Sequence, residues 1–190
     1  MMFSFKLSAL PLAVSLAMTM AARADVTVLE DKIIWYDVNG TTLPELRKSM
    51  DANTPVKGFD AEAKWWVDWR YRWNQQGQTC TLSNVNVTLR VETSFPRLAS
   101  ENGVPADTLQ KWWAYSALLM AHERTHARHG AQAAEDIYRM LSTFTIKGSC
   151  DEIEDKANEA ATKLIHKANR ADEDYDKRTD HGAAEGVVLE

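Results

Sequence analysis

Cysteine is scarce in this chain, with 2 in 190 residues, and so are glycine, with 8, and proline, with 5. A disulfide-dense miniature fold is therefore excluded, as are collagen-like and low-complexity chains. Basic residues are in deficit, 22 Lys+Arg against 27 Asp+Glu for a net charge of −5, and they form no stripe. A nucleic-acid partner would call for the opposite. Apolar runs long enough to cross a bilayer, roughly 20 residues, are missing too. Leu7–Met20 falls short of that and is interrupted by Ser8, Ser15 and Thr19.

That short run has another use. It follows Lys6 and leads to Ala22-Arg23-Ala24, a small-x-small site for a signal peptidase. Residues 1–24 thus read as a secretory signal, and no cysteine follows to carry a lipid anchor. Cleavage would remove Lys6 and Arg23, leaving 20 Lys+Arg against 27 Asp+Glu, a net charge of −7. The expected location is periplasmic or secreted, with no stable membrane anchor. The whole chain is 45% hydrophobic, which suits one globular domain over residues 25–190. In an oxidising compartment the two cysteines, Cys80 and Cys150, are expected to pair. They would close a loop of about 70 residues, worth about 4 kcal/mol on loop-entropy grounds.

Val26–Val38 is rich in β-branched and aromatic residues, ends at Asn39-Gly40, and reads as a strand or a piece of a hairpin. Thr42–Met50 reads as a short helix with Pro44 in its first turn. Trp65, Val67, Trp69, Tyr71 and Trp73 then alternate with mostly polar neighbours, and Val85, Val87, Leu89 and Val91 do the same after Gly77. Two antiparallel strands follow from this period of two. The aromatic stripe suits core packing; a platform for sugar rings is the other use of such a stripe.

From Asp107 the period becomes 3.6 and continues to about Leu141, with Gly130 as a weak point or a break. A further amphipathic helix starts near Cys150, with Ile153, Ala157, Ala160, Leu164 and Ala168 on one face. The residues from Asp172 onward read as a polar end. The expected fold class is α+β, a small antiparallel sheet followed by a long helix and a second helix.

The long helix carries His122-Glu123-Arg124-Thr125-His126, an H-E-x-x-H pattern. Residues four apart on a helix stand about 40° apart in azimuth and about 6 Å apart in rise. Two imidazoles so placed can share one zinc ion, with the glutamate beside the open side to take a proton from bound water. His122, Glu123 and His126 also fall in the stripe of Trp112, Leu119, Ile137 and Met140, the side a helix turns toward its core or cleft. Unpartnered polar groups there are costly.

A third ligand is needed, and several residues compete. His181, in Thr179-Asp180-His181-Gly182, leads. His129 would need the helix to end at Gly130, and Glu154 or Glu159 would come from the next helix. Tyr175 is a candidate donor to the oxyanion of a tetrahedral intermediate, or a packing residue. The strand Val85–Val91 could pair with an extended substrate if it lies at the sheet edge.

The whole mature chain resembles a bacterial family of predicted secreted zinc-dependent proteases, long listed as a domain of unknown function. The resemblance rests on Trp65–Trp73, Cys80 with Val85–Val91, Phe95-Pro96, the H-E-x-x-H segment, His129-Gly130, Cys150-Asp151, Tyr175-Asp176 and Thr179–Gly182. It implies a zincin-like fold and a metallopeptidase label. The expected activity is hydrolysis of peptide bonds in envelope peptides or proteins, with one zinc ion and Glu123 as general base. A zinc-stabilised envelope binding or scaffold protein is the alternative, and an amidase acting on peptidoglycan stems lies between them.

Overall fold

The alternation after Glu62 becomes a long hairpin. Strand β2 spans Glu62–Gln76 and β3 spans Thr79–Leu98, joined across Gly77 and Gln78. Their antiparallel register sets Trp65 opposite Val91, Val67 opposite Leu89 and Trp69 opposite Val87. The aromatic stripe therefore shares a face with the buried valines. Trp65, Trp69 and Tyr71 pack against the core cluster, as the core reading expects, while Trp73 is half-exposed. The computed structural model describes residues 26–190, so the signal sequence expected over residues 1–24 lies outside the described residues.

Among the described residues the fold is α+β, with a four-stranded sheet and three α-helices. Strand β1, Val26–Val38, lies on the other side of β3 and runs parallel to it, so the sheet is mixed rather than antiparallel. Local alternation predicts that a strand exists but not its direction, which the crossover through the next helix sets. The same arrangement corrects the expected substrate strand. Val87–Val91 has a neighbour on both sides; among the described residues β1 and β2 are the outer strands, and it is β2 that runs beside Glu123.

Helix α1, Leu43–Asn53, has Pro44 in its first turn, and the Glu45 carboxylate accepts the Thr41 and Thr42 N–H groups at 2.8 and 3.2 Å. Helix α2 covers Ala106–Ser142, within a residue of the expected span, and its 37 residues make a rod of about 55 Å. Asp107 stands in the first turn, where a carboxylate suits the helix dipole. A short strand β4, Thr145–Lys147, pairs with the start of β3. One turn of 3-10 helix at Cys150–Glu152 leads into α3, Ile153–Thr179, and a second turn covers Ala183–Glu185. The Cys80–Cys150 disulfide is present and ties the start of β3 to the entry of α3.

Gly130 does not break α2. A Cβ there would lie 2.4 Å from Cγ of Trp65, so glycine lets the helix press directly on the indole of β2. Apolar packing along α2 falls into two groups. Trp112, Tyr115 and Leu119 join Val38, Leu46, Met50 and Phe95, whereas Ala134, Ile137 and Leu141 join Val87, Leu89, Val91, Ile153, Ala157 and Ala161. The stretch of α2 between the groups holds the polar pattern. Asp60, just before β2, is bound by Arg47 of α1 and by the Tyr115 hydroxyl of α2. That network fixes the chain leading into the β2 edge.

Candidate metal centre

His122, Glu123 and His126 are 4%, 5% and 8% exposed, so all three need partners inside the protein. Helix α3 supplies them. It continues through the acidic run that reads as a solvated end, and its last turns set Asp172 and Asp176 against α2. Two histidines four apart on one helix thus face two aspartates four apart on another.

Three donor atoms converge. Asp176 Oδ1 lies 3.1 Å from His122 Nε2 and 3.0 Å from His126 Nε2, and the two Nε2 atoms are 3.3 Å apart. Ligands about 2.1 Å from a tetrahedral zinc stand about 3.4 Å from one another. The spacing therefore fits one ion held by His122, His126 and Asp176, with a fourth position open. Two imidazoles and a carboxylate are also a chemically suitable donor set for zinc.

The other ring nitrogens are braced. His126 Nδ1 donates to Asp172 Oδ1 at 2.9 Å, and His122 Nδ1 lies 3.3 Å from Glu185 Oε2. Donation from Nδ1 leaves each Nε2 with its lone pair toward Asp176, the tautomer a metal requires. His126, His129 and Asp172 form a second group with metal-ligand spacing. In that group Asp172 already accepts His126 and His129 (2.6 Å) on Oδ1 and the Trp65 indole N–H (2.8 Å) on Oδ2. This carboxylate is a brace for the rings. In the metal-free protein, burial works to raise it, but those N–H groups outweigh burial and hold Asp172 below the usual aspartate value. Burial likewise works to lower His126, and Asp172 and Asp176 overcome it, so the imidazole titrates above its ordinary value.

Glu123 lies between the ligand histidines in sequence, and its Oε2 accepts the Ala63 N–H of β2 at 2.7 Å. Burial pushes its carboxyl above the usual value, partly offset by His126 and His122. A carboxyl so raised is suited to taking and returning a proton. It opens on a cleft of about 700 Å³ that reaches from Arg47 and Phe59 to His122, Asp176 and His181.

His181 lines that cleft but stands outside the three-atom cluster. Its side chain is 52% exposed, with Nδ1 3.9 Å from Asp176 Oδ2, and its ring rests against Phe59 with centroids 5.0 Å apart. Tyr175 is buried with its ring stacked on His122 at 4.8 Å, and its hydroxyl donates to Glu185 at 2.7 Å. Glu154 and Glu159 are exposed, and Glu159 pairs with Lys163.

Asp172, Asp176, Glu185 and the Trp65 indole also belong to the site, and none of them stands out as such in the sequence. A signal existed for the aspartates: continuing α3 at 100° per residue puts Asp172 about 20° from the buried Ala161. Glu185 had none, because its approach depends on the turn after α3.

The chain matches a bacterial family of unknown function, DUF922, over residues 33–182. It belongs to this family. All the DUF922 residues of the cluster lie within the match, and Glu185 lies just beyond it. No curated protein and no solved structure matches the chain. Among the described residues, no helix is long and apolar enough to cross a membrane.

Proposed function

We propose that this DUF922 protein is an exported zinc-dependent metallopeptidase. The observation that carries the reading is the convergence of His122, His126 and Asp176 at 3.0–3.3 Å beside the buried Glu123. His122 and His126 keep the roles expected of them, and Asp176 replaces His181 as the third ligand. Bound zinc supplies an activated water and polarises the substrate carbonyl.

The chain's own residues do the rest. Glu123 takes the proton from the attacking water and returns it to the leaving amine. Asp172 and Glu185 keep the histidine rings oriented, and the outer edge of β2 offers backbone groups to an extended peptide beside Glu123. The disulfide supports export, because such bonds persist in oxidising compartments. Two histidines and one carboxylate also hold iron(II) in oxygenases. A buried carboxyl beside the open position favours hydrolysis, where it has a proton to move.

The test is metal content and cleavage of fluorescent casein by the wild type, Asp176→Ala and Glu123→Gln. The reading expects about one zinc in the wild type and in Glu123→Gln, much less in Asp176→Ala, and cleavage by the wild type alone. Zinc without any turnover would favour the scaffold reading. Iron in place of zinc would remove the hydrolytic one.

A further inference from the structure

The turn that ends α3 holds three consecutive residues in the left-handed region, Asp180 (φ 50°), His181 (φ 52°) and Gly182 (φ 89°). A helix needs one such residue to stop, usually glycine. Here Asp180 serves that purpose, with its N–H and that of His181 both reaching the Asp176 carbonyl. The left-handed His181 is strain beyond what termination requires. Surrounding bonds hold it in place: Gly182 N–H to Thr179 Oγ1, Ala183 N–H to the Asp180 carbonyl and Val187 N–H to the Gly182 carbonyl. Strain maintained in this way marks a place where side-chain position matters.

In this conformation the His181 ring lines the cleft. Phe59 supports one side of it, and its Nδ1 is 3.9 Å from Asp176 Oδ2, beyond hydrogen-bond reach. The ring thus stands beside the ligand cluster without being satisfied by it. Tyr175, the other candidate for an oxyanion donor, has its hydroxyl committed to Glu185.

We infer that His181 is a catalytic residue that donates an N–H to the scissile carbonyl oxygen as it becomes an oxyanion. This rests on the metallopeptidase reading. Water oxygen bonds to the carbonyl carbon as Glu123 removes its proton, and the C=O π pair moves to the oxygen facing His181. That pair then reforms the carbonyl, the C–N bond breaks, and the amine leaves with the proton from Glu123. His181 gives a hydrogen bond in both steps and transfers no proton, which is why it need not change charge.

The experiment compares wild type, His181→Ala, His181→Gln and His181→Gly for bound zinc, the visible spectrum of the cobalt(II)-substituted protein, casein cleavage and melting temperature. Zinc content and cobalt spectrum are expected to stay unchanged in all three variants. Alanine should lower kcat by about 10²–10³ with little change in KM, the scale for one lost oxyanion donor, and glutamine should recover part of it. Glycine, which removes the donor and the strain together, should lose as much kcat while melting about 2–4 °C higher. A changed cobalt spectrum or lost zinc would make His181 a ligand and overturn the role. So would unchanged kcat in alanine, no recovery by glutamine, or no gain in melting temperature for glycine. A zinc-bound wild type that cleaves nothing would refute the peptidase reading itself, and this role with it.

Discussion

Gly130 offers the sharpest test of how α2 meets the sheet. Replacing a glycine inside a helix by alanine ordinarily stabilises by about 1 kcal/mol. At Gly130 the new Cβ would fall 2.4, 2.7 and 2.8 Å from Cγ, Cδ2 and Cβ of Trp65. The indole cannot simply rotate away, because Trp65 Cβ is itself among the clashing atoms and its N–H is bound to Asp172. Overpacking of this kind costs about 1–3 kcal/mol, and three contacts on one side chain place it near the upper end. The net expectation for Gly130→Ala is a loss of about 2 kcal/mol, a fall in melting temperature of about 4–8 °C. Urea denaturation would measure it, with Trp65→Ala as the partner in a double-mutant cycle. In the Trp65→Ala background the Cγ and Cδ2 contacts are gone and only the 2.8 Å contact to Cβ is left, so the cost of Gly130→Ala should fall sharply. A Gly130→Ala variant as stable as the wild type would refute the close approach, and so would a loss of the same size beside Trp65→Ala.

The remaining predictions concern the disulfide, the braces and the metal. Cys80→Ser should cost about 4 kcal/mol by the loop-entropy argument, read from denaturation of the mutant beside wild type with and without reductant. In metal-free protein the Asp172–His126 pair has one carboxyl held low and one imidazole held high. The aspartate's contribution is present above its unfolded value near 3.9 and is lost as pH falls through the lower folded value. The histidine's contribution is full below about 6.5 and is lost as pH rises through the higher folded value. Asp172→Asn should therefore lose most, relative to wild type, between about pH 4 and 6.5, in urea melts across that range. Finally, zinc at 100 times its dissociation constant should stabilise the folded chain by about 2.7 kcal/mol, raising the melting temperature by about 5–10 °C. The shift should vanish with a chelator and in Asp176→Ala.

The parts of the fold that were readable in sequence are those set by local periodicity. Alternation located β2 and β3, and the 3.6 period located α2 to within a residue, because burial on one side imprints those spacings. His122, Glu123 and His126 were readable for the same reason, lying on the buried stripe of one helix. The failures share another origin. The direction of β1 depends on a crossover, and the third donor depends on where α3 points after 20 residues. An acidic run ordinarily signals solvent, and here Asp172 and Asp176 are turned inward because histidines meet them from another helix. His181 lies only five residues beyond Asp176, yet its ring stands in the cleft beside that carboxylate rather than in the donor cluster. The Tyr175 hydroxyl is taken by Glu185, a contact between residues ten apart that no helical pattern foretells.

The donors of the cluster and their braces lie far apart along the chain, with His122 separated from the donor Asp176 by 54 residues and from the brace Glu185 by 63. Synthesis at roughly 5–20 residues per second puts several seconds between the histidines and their carboxylates. During that interval α2 carries two unbraced imidazoles and no third donor. Cys150 emerges before Asp172, so the disulfide can anchor the start of α3 while its far end is still being made. On the proposed reading, a nascent or truncated chain is inert toward its neighbours, and hydrolytic power arrives only when α3 docks along its full length.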